Sequence, residues 1–235
     1  GKARAARRTG ILRPVEGNFC LRSLVSFTYL WINLAIILGP LCLTPMHRVA
    51  YYRNFSALGI TTLVVGGLYI AWDIVVTAWG EWNFNPRYVS GIKVVNLPLE
   101  EILFFITVPY SCLFIYEAIL ATTKDPKFRL SFGPVIVAIL ILAAGSIVFF
   151  NQGYTSKALA SCALFLLVAL RFDRPLLSSR QYWFWIAICL IPFLIINTIL
   201  TALPVVRYNP TAIWGPRFIT IPLEDFFYNY SLLSF

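Results

Sequence analysis

Six apolar runs, each about as long as a membrane-spanning helix, constrain the fold of this chain most. They occupy residues 24–44, 55–78, 98–121, 132–150, 156–172 and 181–203. A seventh run starts at Pro222 and continues to the last residue, Phe235. A helix needs about 20 mostly apolar residues to cross the hydrocarbon core of a bilayer. The sequence therefore predicts an all-α integral membrane protein with about seven transmembrane helices.

The composition and the distribution of charge agree with a membrane location. Hydrophobic residues make up 59% of the chain and charged residues 12%, whereas soluble domains carry about 25% charged residues. The net charge is +9, and many of the basic residues lie in an extension before the first apolar run, residues 1–23. This placement is typical of contacts with anionic lipid head groups. We expect membrane lipid as a partner, no nucleic acid, and a multi-pass location in the cell membrane of a prokaryote.

Two segments of the chain resemble each other at a constant separation of 124 residues. The stretch FNPRYVSGIKVVNLPLEEILFF, residues 84–105, aligns without a gap with YNPTAIWGPRFITIPLEDFFYN, residues 208–229. The same separation aligns WDIVVTA, residues 72–78, with INTILTA, residues 196–202. A match that continues through loop and helix predicts an internal duplication.

The duplication predicts the domain organisation. A basic extension, residues 1–23, precedes a first three-helix repeat, residues 24–121. A connector with the fourth helix, residues 122–150, leads to a second three-helix repeat, residues 151–235, whose last helix is incomplete. Equivalent helices lie four crossings apart, so the two repeats are parallel, and both PLE motifs face the same side of the membrane.

Acidic residues recur at the start of the third and seventh runs. Glu100 and Glu101 follow Pro98, and Glu224 and Asp225 follow the equivalent proline. A further carboxyl group lies at about the same depth, near the end of the second run. We therefore take five residues as candidate catalytic groups: Asp73, Glu100, Glu101, Glu224 and Asp225.

Such a layer of carboxyl groups suits acid-base chemistry on an apolar substrate. Crowding and poor hydration favour the protonated form of a carboxyl group, so one member can donate a proton while a neighbour accepts one. Adjacent helical residues point about 100° apart, so only one of each acidic pair needs to face the interior. The alternative is that these residues are helix-terminal charges in the interfacial region.

Aromatic and amide side chains near the acidic layer are candidates for binding the substrate. We select Trp72, Asn85, Phe104, Asn197, Asn209 and Phe227. Aromatic faces stabilise cations, although a belt of interfacial aromatic residues is an alternative explanation. Asparagine before proline also caps turns.

The sequence lacks the motifs of the common cofactor-binding and hydrolytic sites. It contains no GxGxxG, P-loop, GxSxG or aspartate-rich motif, and its five cysteines form no CxxC pair. We therefore expect no cofactor and no metal, and chemistry by acid-base catalysis.

The motifs carry a family resemblance. The stretches WDIVVTAWGEWNFNPRYVSGIKVVNLPLEEILFFITVPYSCLFIYE, residues 72–117, and NPTAIWGPRFITIPLEDFFYNYSLL, residues 209–233, resemble the small membrane lycopene cyclases of the heterodimeric or CarR type. Both half-domains are fused in this chain. The resemblance covers roughly residues 25–235.

The resemblance implies an isomerase (an intramolecular lyase) of the lycopene β-cyclase type, which acts without a cofactor. Its substrate is lycopene or a related acyclic carotenoid. A proton is added to the acyclic ψ-end, the cation closes a ring, and a proton is lost. Glu100, Glu101, Glu224 and Asp225 become candidate donors and acceptors, and carotenoid-pathway enzymes become candidate partners. We favour Glu100 or Glu101 as the acid.

Other functions remain open at this point. Relatives of the same architecture cyclise longer C50 carotenoids, so substrate length is not fixed. Another carotenoid or isoprenoid membrane enzyme is a second alternative. Parallel repeats with an acidic layer also suit a proton-coupled transporter without enzymatic activity, although transporters place such groups at the membrane midplane.

Overall fold

The apolar runs form helices whose ends lie within a few residues of the predicted bounds. The computed structural model describes residues 25–45, 51–124, 127–128 and 131–235. In these ranges the main helices are α1 Thr28–Leu43, α2 Tyr51–Ala78, α3 Leu99–Thr122, α4 Phe132–Val148, α5 Gly153–Phe172, α6 Arg180–Ala202 and α7 Leu223–Ser234. The predicted basic extension, residues 1–23, lies outside the described residues.

The helices have the length and surface of a membrane protein. Helices α2, α3, α5 and α6 are long and apolar enough to span a bilayer, and α1 and α4 are shorter apolar helices. Large apolar side chains are exposed along them, as Leu63 and Ile141 illustrate. In a soluble protein such surface would be buried. The protein is therefore an all-α membrane protein, while the number of seven crossings stays a prediction.

The second helix is irregular. It starts as a 3₁₀ turn at Tyr51–Asn54 and contains a π-helical segment at Thr62–Gly66. A π segment leaves the regular pattern of backbone hydrogen bonds over about one turn. After it, the regular part Gly67–Ala78 carries Asp73 on a buried face.

Six short strands join the helices at one end of the bundle. They are β1 Trp82–Phe84, β2 Lys93–Val94, β3 Leu97–Pro98, β4 Val206–Tyr208, β5 Arg217–Phe218 and β6 Ile221–Pro222. Strand β1 pairs antiparallel with β4, whereas β2–β3 and β5–β6 are hairpins. Because β1 follows α2 and β4 follows α6, their pairing holds the ends of these two helices together.

The six strands and the turns between them, residues 82–98 and 206–222, form what we call the loop layer. Its contacts recur 124 positions apart. The amide of Asn85 donates to the carbonyl of Val205 at 2.9 Å, and the amide of Asn209 donates to the carbonyl of Glu81 at 2.8 Å. In the β1–β4 pair, Asn83 lies opposite Arg207, the residue 124 positions later. The two segments thus exchange equivalent contacts around a local two-fold axis.

The two hairpins lead directly into α3 and α7. Each turns at a β-branched residue with a positive φ, 60° at Val95 and 58° at Ile219, a strained conformation for such residues. Each hairpin ends at a proline in extended conformation, Pro98 or Pro222, after which the helix begins. Proline fits this position because the first amides of a helix have no partner within it. The hairpins therefore fix where the acidic pairs start.

Helix packing places a space at the centre of the bundle. Helix α1 packs on α3, α3 packs on α6, and α5 packs on both α4 and α7. The carboxyl-terminal halves of α2 and α6 approach the loop layer from the same direction. This central space lies directly below the loop layer.

Candidate active site

A cavity of about 420 Å³ lies beneath the loop layer, between α1, α3, α6 and α7. Its volume is in the range of pockets that hold small molecules, roughly 300–1,000 Å³. Three carboxyl groups line it: Asp73 from α2, Glu101 from α3 and Asp225 from α7. The rest of the lining is mostly aliphatic and aromatic. The structure thus brings three of the five predicted catalytic residues to one apolar cavity.

Asp73 and Glu101 form a pair of neighbouring carboxyl groups that interact with each other at the cavity wall. The Trp82 indole N–H donates to Asp73 Oδ1 at 2.8 Å, and the Thr77 hydroxyl donates to the same oxygen at 3.1 Å. The Tyr29 hydroxyl donates to Glu101 Oε2 at 2.6 Å. Two neighbouring buried carboxyl groups resist carrying two negative charges at once, so this pair can store a proton next to the cavity.

Asp225 has a different environment. Its Oδ1 accepts a hydrogen bond from the Tyr154 hydroxyl at 2.6 Å, and its Oδ2 accepts one from the Tyr208 hydroxyl at 2.8 Å. Burial raises the pKa of Tyr208 well above its ordinary value, and the charge of Asp225 adds to this effect. Tyr208 therefore stays a hydrogen-bond donor at neutral pH. Two donors on one carboxyl group suit a carboxylate that accepts a proton.

Glu100 and Glu224 lie outside the cavity. Glu100 Oε1 accepts a hydrogen bond from the Ser90 amide at 2.7 Å, and Glu224 Oε1 accepts one from the Trp214 amide at 2.6 Å. Glu224 also binds the Thr155 hydroxyl. Both side chains are buried. The helix turns each glutamate by about 100° from its acidic neighbour, so these two residues hold the loop layer while Glu101 and Asp225 face the cavity.

The predicted substrate-binding residues divide into two groups. Phe104 and Asn197 line the cavity. Trp72, Asn85, Asn209 and Phe227 do not line it. The two asparagine side chains hold turns: Asn85 Oδ1 accepts from the Arg87 amide, and Asn209 Nδ2 donates to the Gly80 carbonyl.

The two aromatic residues outside the cavity pack within the bundle. The ring of Trp72 packs against the rings of Tyr69 and Tyr228. Phe227 packs at the edge of an apolar cluster that includes Val76. For these four residues the geometry indicates a structural rather than a substrate-contacting position.

The sequence reasoning missed the tyrosines that bind the carboxyl groups. Tyr29, Tyr154 and Tyr208 each donate a hydroxyl to Glu101 or Asp225. Tyr208 had a visible signal, because it replaces Phe84 in an otherwise matching turn. Tyr29 and Tyr154 lie 125 positions apart, so an ungapped alignment at 124 does not pair them.

The described residues contain no group of three or more His, Cys, Asp or Glu side chains arranged to hold a metal ion. An ion pair between Lys157 and Glu81 lies at the start of α5. It joins α5 to the loop that follows α2, outside the cavity.

Comparison with known proteins points to one family. The family model described as lycopene cyclase matches residues 26–119 and 151–235. One relative is a bifunctional lycopene cyclase/phytoene synthase of Pyrenophora tritici-repentis (strain Pt-1C-BFP), 24% identical over 106 residues. The match covers 44% of this chain and 18% of that protein. No solved structure matches the chain.

Proposed function

The chain belongs to the lycopene cyclase family, and on this basis we propose that it cyclises the ψ-end of lycopene or a related acyclic carotenoid, as an isomerase of the β-cyclase type. One observation carries this proposal: three carboxyl groups meet at the end of a mostly apolar cavity. A hydrocarbon substrate offers only carbon to react with, and protonation of a double bond is the reaction that carboxyl groups can start.

The reaction is balanced in atoms, electrons and protons. A proton moves from the acid to the terminal double bond, which leaves a carbocation on the neighbouring carbon. The next double bond attacks this carbon, and a ring bond forms. A proton then leaves the ring, and its C–H electron pair becomes the new double bond. The product has the same mass as the substrate, so the reaction is redox-neutral and consumes no oxidant or reductant.

We assign the two proton-transfer roles to the two carboxyl environments. The Asp73–Glu101 pair supplies the proton, because two interacting buried carboxyl groups favour a state in which one of them is protonated. Asp225 accepts a proton, because its two tyrosine partners supply hydrogen bonds to a carboxylate. The proton returns to the pair after product release, and the enzyme is unchanged.

The lining supports a cationic intermediate. The rings of Trp82, Tyr154, Tyr208 and Phe104 all contribute to the cavity surface, and Tyr154 and Tyr208 stack with centroids 5.6 Å apart. Aromatic faces attract cations, and a mostly apolar lining excludes the water that would trap one.

The same proposal includes an internal duplication and a multi-pass topology. Equivalent loop contacts recur 124 positions apart, as the sequence identities do. We infer two three-helix units in residues 24–121 and 151–235, joined by α4, with about seven crossings in the cell membrane of a prokaryote. Carotenoid-pathway enzymes remain candidate partners.

The test is pigment analysis in a bacterium engineered to accumulate lycopene. We expect expression of this chain to convert lycopene into a pigment of equal mass with the absorption spectrum of γ-carotene or β-carotene, resolved by HPLC with mass detection. A Glu101→Gln variant made in equal amount should leave lycopene unchanged. Unchanged lycopene in the wild-type culture, with folded protein in its membranes, would contradict this substrate, and C50 precursors would then be tested.

A further inference from the structure

The cavity is elongated along the helices. Its lining follows α1 from Tyr29 to Pro40 and α6 from Cys189 to Leu200. At about 1.5 Å per residue, each of these stretches is roughly 16 Å long. The carboxyl groups lie at one end of the cavity, next to the loop layer. The other end therefore reaches well into the membrane-spanning part of the bundle.

One side of the cavity is closed by hydrogen bonds between α1 and α3. The Asn33 amide donates to the Glu100 carbonyl at 3.0 Å, and the Thr107 hydroxyl donates to Asn33 Oδ1 at 2.8 Å. One turn further, the Ser111 hydroxyl donates to the Ile36 carbonyl at 3.0 Å. These bonds fix α1 against α3 along the length of the cavity.

Another side is closed between α3 and α6. The Trp185 indole N–H donates to the Cys112 carbonyl at 2.7 Å, and the Gln181 amide donates to the Thr123 carbonyl at 2.9 Å. Cys112 and Trp185 are also buried in one apolar cluster. These contacts hold α3 and α6 together at this level.

The seam between α1 and α6 is different. Within the described part of the chain, no hydrogen bond joins residues 28–43 to residues 182–202. Near the loop layer, Tyr29, Ile32 and Leu200 close the seam as one buried apolar cluster. Further along, Ala35 on α1 and Ile195 on α6 line the cavity and are nevertheless exposed, Ile195 to 56%. A side chain that both lines a cavity and is mostly exposed lies at its opening.

The two residues lie at the same depth. Ala35 is seven residues after Thr28, where α1 begins, and Ile195 is seven residues before Ala202, where α6 ends. Both helices have these ends next to the loop layer, so the opening is roughly 10 Å below it. The opening lies along two apolar helices, so it faces lipid rather than water.

We propose that this opening is the lateral entrance through which the acyclic end of a polyene hydrocarbon passes from the membrane into the cavity. The inference rests on the proposed function for the identity of the ligand. Both residues at the opening are apolar, and they offer nothing to a charged or hydrogen-bonding ligand. The end group enters between Ala35 and Ile195 and moves toward Glu101, while the rest of the chain stays in the lipid. The small side chain of Ala35 determines how wide the entrance is.

The test narrows the entrance with large side chains. Ala35→Trp and Ile195→Trp each add an indole at the opening, and Ala35→Leu adds a smaller group. Leu38→Trp on α1 and Ile191→Trp on α6 are matched controls, because these residues are exposed to 61% and 60% and do not line the cavity. All five variants change lipid-facing positions, so the fold has little reason to change.

Two quantities are measured after expression in the lycopene-accumulating bacterium and purification in nanodiscs. The first is cyclised product per protein, and the second is carotenoid that remains bound per protein. We expect both to fall by roughly tenfold or more in the two tryptophan variants at the opening, since large groups are poorly accommodated in a confined space. Ala35→Leu should lie between them and the wild type, and the two controls should behave as the wild type.

The outcomes separate the entrance from the reaction. Tryptophan variants that bind and convert carotenoid like the wild type would overturn the entrance and leave the cyclase proposal standing. A wild type that binds lycopene without converting it, with binding lost only in the variants at the opening, would support the entrance and contradict the cyclase. Equal losses in the control variants, or a wild type that retains no carotenoid, would also overturn the entrance.

Discussion

Glutamine substitutions at the two adjacent glutamates of α3 give the sharpest test of the site. Glu101 lines the cavity, and its Oε2 accepts the Tyr29 hydroxyl at 2.6 Å. A glutamine at this position keeps the size of the side chain and can still accept this bond, but it has no acidic proton to give. Removing a general acid lowers rates by about 10²–10⁴-fold. We expect a loss of turnover in this range with the fold retained.

Glu100→Gln is the matched control, and we expect it to lower the stability of the protein rather than its turnover. Glutamine Oε1 can still accept the Ser90 amide, as Glu100 Oε1 does at 2.7 Å. The second oxygen, Glu100 Oε2, is buried and has no hydrogen-bond partner among the described residues. An amide N–H in its place needs an acceptor that the carboxyl oxygen did not need, and a buried donor without one costs about 1–3 kcal/mol. For a chain of this size, that corresponds to a fall in melting temperature of roughly 2–12 °C.

The assay needs rates per folded molecule. Both variants are reconstituted in lipid nanodiscs with lycopene, product is followed by HPLC, and thermal unfolding is followed by tryptophan fluorescence. We expect Glu101→Gln to melt close to the wild type without turnover, and Glu100→Gln to melt lower with turnover within a few-fold of the wild type. An inactive but fully stable Glu100→Gln protein would refute the assignment, because the acid would then lie on the side of α3 that faces away from the cavity.

Three further outcomes follow from individual contacts. Asp73→Asn should lower turnover at least about tenfold without a large change in melting temperature, because an amide cannot share a proton with its neighbour. Gly153→Ala should destabilise the protein by up to about 1 kcal/mol, since its methyl group would displace the Glu81 carboxylate from its ion pair with Lys157, whereas Gly133→Ala makes only an ordinary contact with Ser131 and should be neutral in the same thermal assay. The raised pKa of Tyr208 means that its contribution to stability is present below about pH 10 and is lost as the pH rises further. Tyr208→Phe should therefore make the alkaline fall of the melting temperature shallower.

The helices were predictable because apolar run length is a property of the sequence alone. The runs predicted at 98–121 and 181–203 became Leu99–Thr122 and Arg180–Ala202. The first residues of α3 and α7 could also be predicted, because proline and acidic residues mark the first turn of each helix. The strands, two or three residues each, carry no alternating pattern and were not predicted.

The choice within each acidic pair could not be made from the sequence. Neighbouring helical residues differ by about 100° in direction, and the rotation of α3 is fixed by contacts with distant residues. The Asn33 amide, for example, binds the Glu100 carbonyl across the α1–α3 interface. The aromatic candidates show the same limit: Phe104 faces the cavity and Phe227 does not, although both follow an acidic pair closely.

The tyrosine partners were hidden for a related reason. Tyr29 lies on α1 and Tyr154 on α5, and each reaches the acidic residue of a helix about 70 positions later. Contacts of that kind depend on how helices pack. No local pattern indicates them, and the repeat does not reveal them either, since the two tyrosines are one position out of register.

The two halves of the bundle differ in charge where Asp73 and Asn197 lie at equivalent positions. Both residues line the cavity at positions 124 apart. Asn197 donates to the Phe193 carbonyl of its own helix at 3.3 Å, whereas Asp73 is held by Trp82 and pairs with a second carboxyl group. If proton storage required only an acidic residue at either position, exchanging the two should preserve activity.

The structure predicts that the exchange fails. In the double variant Asp73→Asn/Asn197→Asp, the new carboxyl group would have no indole donor, because Val206 occupies the position equivalent to Trp82. Asp225, the acidic residue equivalent to Glu101, already binds two tyrosine hydroxyls. We expect turnover in the double variant to stay as low as in Asp73→Asn alone, measured by the nanodisc assay. Recovery to wild-type turnover would show that either half can store the proton, and the assignment of donor and acceptor to separate halves would be wrong.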